Sequence, residues 1–280
     1  SDPGVSFNGS TETAWAINRT LGARNAQIAA LVAETGGQNA MIADSSALPE
    51  QIVKDVIASA FQSAGQRCSA ARVLFVQEDI ADKVVGMLAG AMAELKVGDP
   101  GQLSTDVGPV IDEDALKILT EHAARMDKEA SKIAEARLDP ASTSNGTFFA
   151  PRAYEIPSLD VLKREIFGPV LHVIRWKGSE LPQVIEQINR TGYGLTLGVH
   201  SRIDDTVEYI RSHARVGNCY VNRNQIGAVV GVQPFGGESL SGTGPKAGGP
   251  HYLLRFATER TLTINTTAAG GNASLLTIGE

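Results

Sequence analysis

The sequence predicts an α/β fold with a largely parallel sheet. Three observations carry that expectation. Short apolar runs alternate with longer amphipathic patterns, as strands and helices do in βαβ units. The 280 residues are 42% hydrophobic and 20% charged, ordinary for a soluble globular chain long enough to bury a real core. No internal repeat breaks the alternation, and low complexity is confined to the small-residue C-terminal tail.

Taken in order, Val5-Ser6-Phe7 reads as a strand, and Gly9-Ser10-Thr11-Glu12 opens a helix to about Leu21. A second strand is expected over 27–32, ending at Glu34-Thr35-Gly36-Gly37. Two strands are too few for a stable sheet. The opening therefore reads as the tail of a larger doubly wound domain, and the chain as a fragment or an incompletely represented one. Pro49 sits at a first helical position, with an apolar stripe of Ile52, Val53, Val56, Ile57, Ala60 and Phe61 behind it. Gly65 is a natural terminator, which leaves Gln66-Arg67-Cys68-Ser69 in the loop before a strand at 72–76. Helices are expected at 79–94, 112–128, 181–189 and 204–213. Strands are expected at 133–136, around 148–156, and at 170–176, 196–200 and 219–222. A Gly-rich loop spans 231–249, and 261–265 alternates as an exposed edge strand would.

The formal net charge of −6 argues against a nucleic-acid surface, which needs clustered Lys and Arg. No apolar stretch approaches the ~18 residues of a membrane span, and no basic region followed by an apolar run marks a signal peptide. A cytoplasmic protein is expected. Two widely separated cysteines, Cys68 and Cys219, make no disulfide framework. Five histidines (122, 172, 200, 213 and 251) show no metal-ligand spacing. Gly242-x-Gly244-x-x-Ala247 fits a loose dinucleotide pattern, but Pro245 interrupts it and no βαβ unit surrounds it.

Cys68 follows Arg67 in a loop of small and polar residues, where a cation would lower a thiol's pKa. Cys219 lies in a strand context and reads as a buried small hydrophobe. Glu34 ends an apolar strand, and the ends of parallel strands are where α/β folds place active sites. A half-buried carboxylate there can serve as a general base; it can equally cap the next helix or face water.

Together these residues resemble the aldehyde dehydrogenase superfamily, in which the glutamate of a Glu-x-Gly-Gly motif precedes a Gly-Gln-x-Cys nucleophile. Here Glu34-Thr35-Gly36-Gly37 precedes Gly65-Gln66-Arg67-Cys68. Phe7-Asn8-Gly9-Ser10-Thr11-Glu12 resembles the family's segment at the cofactor pyrophosphate. Glu165-Ile166-Phe167-Gly168-Pro169 resembles the motif that holds the nicotinamide ribose. Pro234-Phe235-Gly236-Gly237 resembles the loop beside the substrate. Narrower matches, Gln66-Arg67-Cys68-Ser69-Ala70 and Ser241-Gly242-Thr243-Gly244-Pro245-Lys246 among them, resemble the glutamate-semialdehyde dehydrogenase module of bifunctional proline-utilisation enzymes.

The resemblance implies an aldehyde-dehydrogenase-like fold, with a catalytic domain plus the tail of a doubly wound NAD-binding domain. It implies NAD-dependent oxidation of L-glutamate γ-semialdehyde, with Cys68 as nucleophile and Glu34 as the base for thioester hydrolysis. Gly9, Ser10 and Glu12 would lie at the pyrophosphate, with Thr35, Gly36, Glu165 and Phe167 also on the cofactor side. Arg67, Ser69, Phe235, Ser241 and Gly242 would meet the substrate. For Ser10 an ordinary helix cap, and for Ser241-Gly242 a flexible turn, stay open. The expected division is 1–35 cofactor domain, 36–260 catalytic domain and 261–280 oligomerisation flap, in a homo-oligomer. An oxyanion-binding Asn and the adenosine-side Lys are expected upstream of Ser1. FAD is expected only on a separate proline dehydrogenase domain outside these residues. Two other readings remain: an inactive fragment serving folding or oligomerisation, and an NAD-independent Cys hydrolase.

Overall fold

The computed structural model describes residues 4–265. Strands β1 (Gly4–Asn8) and β2 (Ala30–Glu34) pair in parallel as a two-stranded sheet, with Asn8 opposite Glu34. Their crossover carries α1 (Thr11–Gly22), which starts where the Ser10 side chain accepts a hydrogen bond from the Thr13 N–H at 3.1 Å. β2 lies later than expected because its pairing with β1, rather than the apolar run alone, sets its ends. Glu34 thereby becomes its last residue.

The larger sheet has seven strands in the order β10-β9-β3-β4-β7-β6-β5. In chain order these are β3 (Ala40–Ala43), β4 (Val73–Gln77), β5 (Ser131–Glu135), β6 (Arg152–Glu155) and β7 (Val170–Trp176). The last two are β9 (Thr196–His200) and β10 (Asn218–Val221). All neighbours run parallel except β5, which pairs antiparallel with β6. Helices α2 (Pro49–Phe61), α3 (Glu78–Ala93), α4 (Glu113–Glu129), α6 (Leu181–Arg190) and α7 (Asp204–His213) provide the connections, with one short helix, α5 (Pro140–Thr143). A third, two-stranded sheet joins β8 (Tyr193–Gly194) to β11 (Glu238–Ser239).

Strand β3 is absent from the sequence expectation. Its four residues are all buried, so it shows no polar alternation and is too short for its apolar run to signal a strand. It lies mid-sheet between β4 and β9. The α2 stripe is as expected: Ile52, Val53, Val56, Ala60 and Phe61 are all buried. The helix stops at Phe61, before Gly65, because Ser63, Ala64 and Gly65 take φ of 57°, 53° and 63°. Only glycine suits the last of these, since a Cβ there would lie 2.3 Å from the Gly168 carbonyl oxygen. The strand expected around 148–156 contracts to β6, with Pro151, which has no N–H for the ladder, just ahead of it.

The edge strand expected at 261–265 does not form. Residues 261–265 join no sheet, and Leu262 and Ile264 are 80% and 70% exposed. Alternation makes a strand only where a partner edge receives it. The remainder of the expected flap, 266–280, and Ser1 to Pro3 lie outside the described residues. Among the described residues, no helix is long and apolar enough to cross a membrane.

Candidate active site

Residues 35–39 join the end of β2 to the start of β3, and the site is built around this joint. Glu34 stands at the carboxyl end of β2, where α/β folds place chemistry. Cys68 does not follow that rule. It lies ahead of β4, at the amino ends of the large sheet's strands, beside Asn39, Arg72, Gly168 and Thr196.

The loop carrying Cys68 is held by its carbonyl groups. Arg72, 1% exposed, donates to the carbonyls of Gly65 (2.7 Å), Arg67 (3.1 Å) and Gly168 (3.2 Å). The Asn39 amide donates to the carbonyls of Cys68 and Ala70, the latter at 3.0 Å. Thr196 Oγ1 and Gln225 Nε2 both donate to the Ser69 carbonyl, at 3.2 and 3.3 Å.

The expectation that Arg67 lowers the Cys68 pKa is corrected. Burial pushes the Cys68 thiol up, and the Glu165 and Glu34 carboxylates push it further. The backbone N–H groups of Ser69 and of Cys68 itself pull the other way. Arg67 adjoins Cys68 in sequence, but its Nε donates to Ser63 Oγ at 3.0 Å. The thiol therefore needs a base, or a bound positive charge, to ionise at neutral pH.

Glu34 can supply the base. Burial raises its pKa from 4.5 to about 7, against the Gly237 N–H, which donates to Oε2 at 2.9 Å, and the charge of Lys246. Its Oε1 is buried and has no hydrogen-bond partner among the described residues. The carboxylate fits because Gly236 and Gly242 lack side chains: a Cβ on either would lie 2.7 or 2.9 Å from Oε1. Lys246 is kept from direct contact by donating to the Gly217 carbonyl and to Asn218 Oδ1.

Glu165 forms an ion pair with Arg72, Oε1 to Nη2 at 3.0 Å, while its Oε2 accepts from the Gly37 N–H at 3.2 Å. Its side chain is 13% exposed, and burial raises its pKa despite the Arg72 charge. Phe167 is 44% exposed, with the Arg72 guanidinium 5.1 Å from its ring centre. The two glycines after Glu34 have separate reasons. A Cβ on Gly36 would lie 1.8 Å from Glu165 Oε2, and one on Gly37 would lie 2.3 Å from Asn39 Oδ1.

The other expected residues divide. Ser10 is an N-cap, as its open alternative held, and Glu12 is exposed in the first turn of α1. The Gly9 N–H donates to the Glu34 carbonyl at 3.1 Å. Thr35 is committed to the chain itself, its Oγ1 donating to the Leu240 carbonyl and its N–H to the Ser241 carbonyl. The side chain and N–H of Ser241 are engaged within the chain. It is fully buried, its Oγ accepts from the Gly194 N–H, and its own N–H donates to the Glu238 carbonyl. Gly242 bridges to Glu34, and Phe235 to Ala247. Ser69 is buried beside Cys68. Cys219 packs against the core, where burial raises its pKa. Sequence reasoning missed Arg72, Asn39, Gln225 and Lys246. For Asn39 the available signal was Gly37, which opens the space its amide occupies.

The aldehyde dehydrogenase family matches residues 3–262. The bifunctional protein PutA of Klebsiella aerogenes is 54% identical over 264 residues, which are 92% of this chain and 20% of that protein. The chain thus spans about a fifth of that relative's length. A crystal structure of a bifunctional proline utilization A (PutA) protein superimposes with a TM-score of 0.91 at 60% identity, over 96% of this chain and 27% of the other. A 1-pyrroline-5-carboxylate dehydrogenase from Thermus with bound NAD gives 0.83 at 35% identity, over 90% and 48%.

Proposed function

The chain belongs to the aldehyde dehydrogenase family, and on that premise we propose that the protein oxidises L-glutamate γ-semialdehyde, the open form of 1-pyrroline-5-carboxylate, to L-glutamate with NAD. One observation carries the reading. The Arg72 guanidinium that holds the Arg67 carbonyl ahead of Cys68 also holds the half-buried Glu165, and the half-buried Glu34, at the end of the neighbouring β2, keeps an Oε1 without a hydrogen-bond partner among the described residues.

The residues present fit a nicotinamide dinucleotide. The Glu165 carboxylate is held by Arg72 and the Gly37 N–H, and a carboxylate has lone pairs to spare for ribose hydroxyls. Phe167 offers a half-exposed ring beside it. The first turn of α1 presents N–H groups of the kind that receive a pyrophosphate. Bound NAD supplies the acceptor for the hydride that leaves the aldehyde carbon with its bonding electron pair.

The chain's own residues do the rest. Cys68 Sγ gives up its proton to a base and adds to the aldehyde carbon. The carbonyl π pair moves to oxygen, where the Cys68 backbone N–H meets the charge. Loss of hydride restores the C=O and leaves a thioester on Cys68. Glu34, with a pKa of about 7, takes a proton from water as that oxygen adds to the thioester carbon. The C–S bond then breaks, returning the thiolate and releasing the acid. Arg67, Ser69, Phe235 and Gly242 are proposed to meet the substrate's charged α-carbon end. The same reading assigns 1–35 to a cofactor domain, 36–260 to catalysis and 261–280 to a flap. The proposed setting is a cytoplasmic homo-oligomer working with an FAD-bearing proline dehydrogenase domain.

The test is NADH formation with glutamate semialdehyde against butanal, which lacks the charged α-carbon. A clear preference in kcat/KM for the semialdehyde is expected, and equal values would overturn the substrate assignment.

A further inference from the structure

Each trans peptide group is planar, with its C=O and N–H pointing in opposite directions. Fixing a carbonyl on one side of the Cys68 loop therefore aims the next residue's N–H to the other side. The Cys68 carbonyl and the Ser69 N–H share one peptide. The Asn39 amide holds that carbonyl, which turns the Ser69 N–H to the opposite side of the loop. The Arg67 carbonyl and the Cys68 N–H share the preceding peptide, and Arg72 holds that carbonyl at 3.1 Å. The two peptides that flank Cys68 are thus each held at the carbonyl by one buried side chain.

Asn39 is well placed for this task. It is buried, its Nδ2 also holds the Ala70 carbonyl, and its Oδ1 accepts from the Thr196 N–H at 3.2 Å. Both ends of the amide are engaged, which fixes its orientation. Its main chain is fixed too, since its carbonyl accepts from the N–H groups of Arg72 and Val73. Gly37 leaves the space that the Oδ1 occupies.

We propose that Asn39 is a positioning residue that fixes the Cys68–Ser69 peptide beside the reacting sulfur, and that Gly37 is glycine to admit the Asn39 amide. This rests on the reading of Cys68 as the nucleophile.

The test is the pH profile of iodoacetamide alkylation at Cys68, followed by mass spectrometry of its peptide, in Asn39→Ala, Gly37→Ala and the double variant. Removing the amide should move the profile up by about half to one pH unit, or about 3- to 10-fold slower alkylation at neutral pH. Gly37→Ala should give a similar shift by displacing the amide. It should add nothing in the Asn39→Ala background, because the obstructing atom is gone. An Asn39 that merely packs would lower the melting temperature and leave the profile unmoved, and that result overturns the proposal. If Asn39→Ala does not fold, Asn39→Ser and Gly37→Ala carry the same comparison. Turnover of Cys68→Ala is measured alongside. Turnover that survives without Cys68 sinks the nucleophile reading; turnover that needs Cys68, with unmoved Asn39→Ala and Gly37→Ala profiles, sinks the positioning role alone.

Discussion

Replacing Arg72 with Met keeps much of the side chain's apolar length and removes its guanidinium. That group makes five hydrogen bonds to four oxygens: the carbonyls of Gly65, Arg67 and Gly168, and Glu165 Oε1, the last contacted by both Nε and Nη2. Arg72 is 1% exposed and its partner's side chain 13%, so little water can replace what is lost. Removing one partner of a buried ion pair costs about 3–5 kcal/mol. Glu165 keeps the Gly37 N–H, which places the expected loss toward the lower part of that range, and the orphaned carbonyls push it back up. A loss of that size is a large share of the roughly 5–15 kcal/mol that typically separates folded from unfolded. Urea unfolding followed by tryptophan fluorescence reads it directly. Glu165→Gln is the comparison: it keeps an acceptor oxygen for Arg72 but removes the counter-charge and sets its amide NH2 against the Gly37 N–H, so it should also destabilise, by less than Arg72→Met. An Arg72→Met variant within about 1 kcal/mol of the parent would refute the claim that this guanidinium holds the loop.

Three further outcomes are expected. His172 Nδ1 donates to the Arg72 carbonyl at 3.1 Å, so its Nε2 accepts from His122 Nε2 at 2.9 Å, and His172 must be neutral to keep this pair. Burial lowers His122 to about 4 and His172 to about 3. Their contribution is therefore present above the unfolded value of 6.5 and lost as pH falls toward 4 and 3; His122→Gln should flatten that part of a urea-midpoint profile. Glu34 acts with the opposite sign. Its raised pKa favours the folded state below pH 4.5, and this is lost as pH rises through about 7, so Glu34→Gln should remove that slope. The same variant should slow turnover by about 10²–10⁴-fold while Cys68 alkylation persists, as separate rate assays would show. Gly65→Ala should destabilise by at least about 1 kcal/mol, since its φ of 63° disfavours a side chain and the Gly168 carbonyl lies in the Cβ position; thermal melting checks this.

Elements with strong local patterns were legible in the sequence. The α2 stripe behind Pro49 and the helices at 181–189 and 204–213 rest on periodicities that packing reinforces. β3 escaped because a short strand buried on both faces carries no alternation. At the site, Cys68 and Glu34 could be singled out by type and by loop or strand-end position. Their electrostatics could not. The charges that act on Cys68 come from Glu165 and Glu34, far away in sequence, while neighbouring Arg67 turns to Ser63. Arg72 and Asn39 looked ordinary because their partners are main-chain carbonyls, which sequence does not distinguish. Ser241 belongs to the Gly-rich loop of the sequence, yet its side chain accepts from the Gly194 N–H in the interior.

The most direct test of the account is NADH formation from NAD and glutamate semialdehyde, tracked by absorbance, for the protein and its Cys68→Ala variant. The account predicts turnover in the parent and its loss in a variant whose unfolding curve is unchanged. Turnover that survives in Cys68→Ala would contradict the assignment of Cys68 as the nucleophile, and with it the chemistry derived for Glu34.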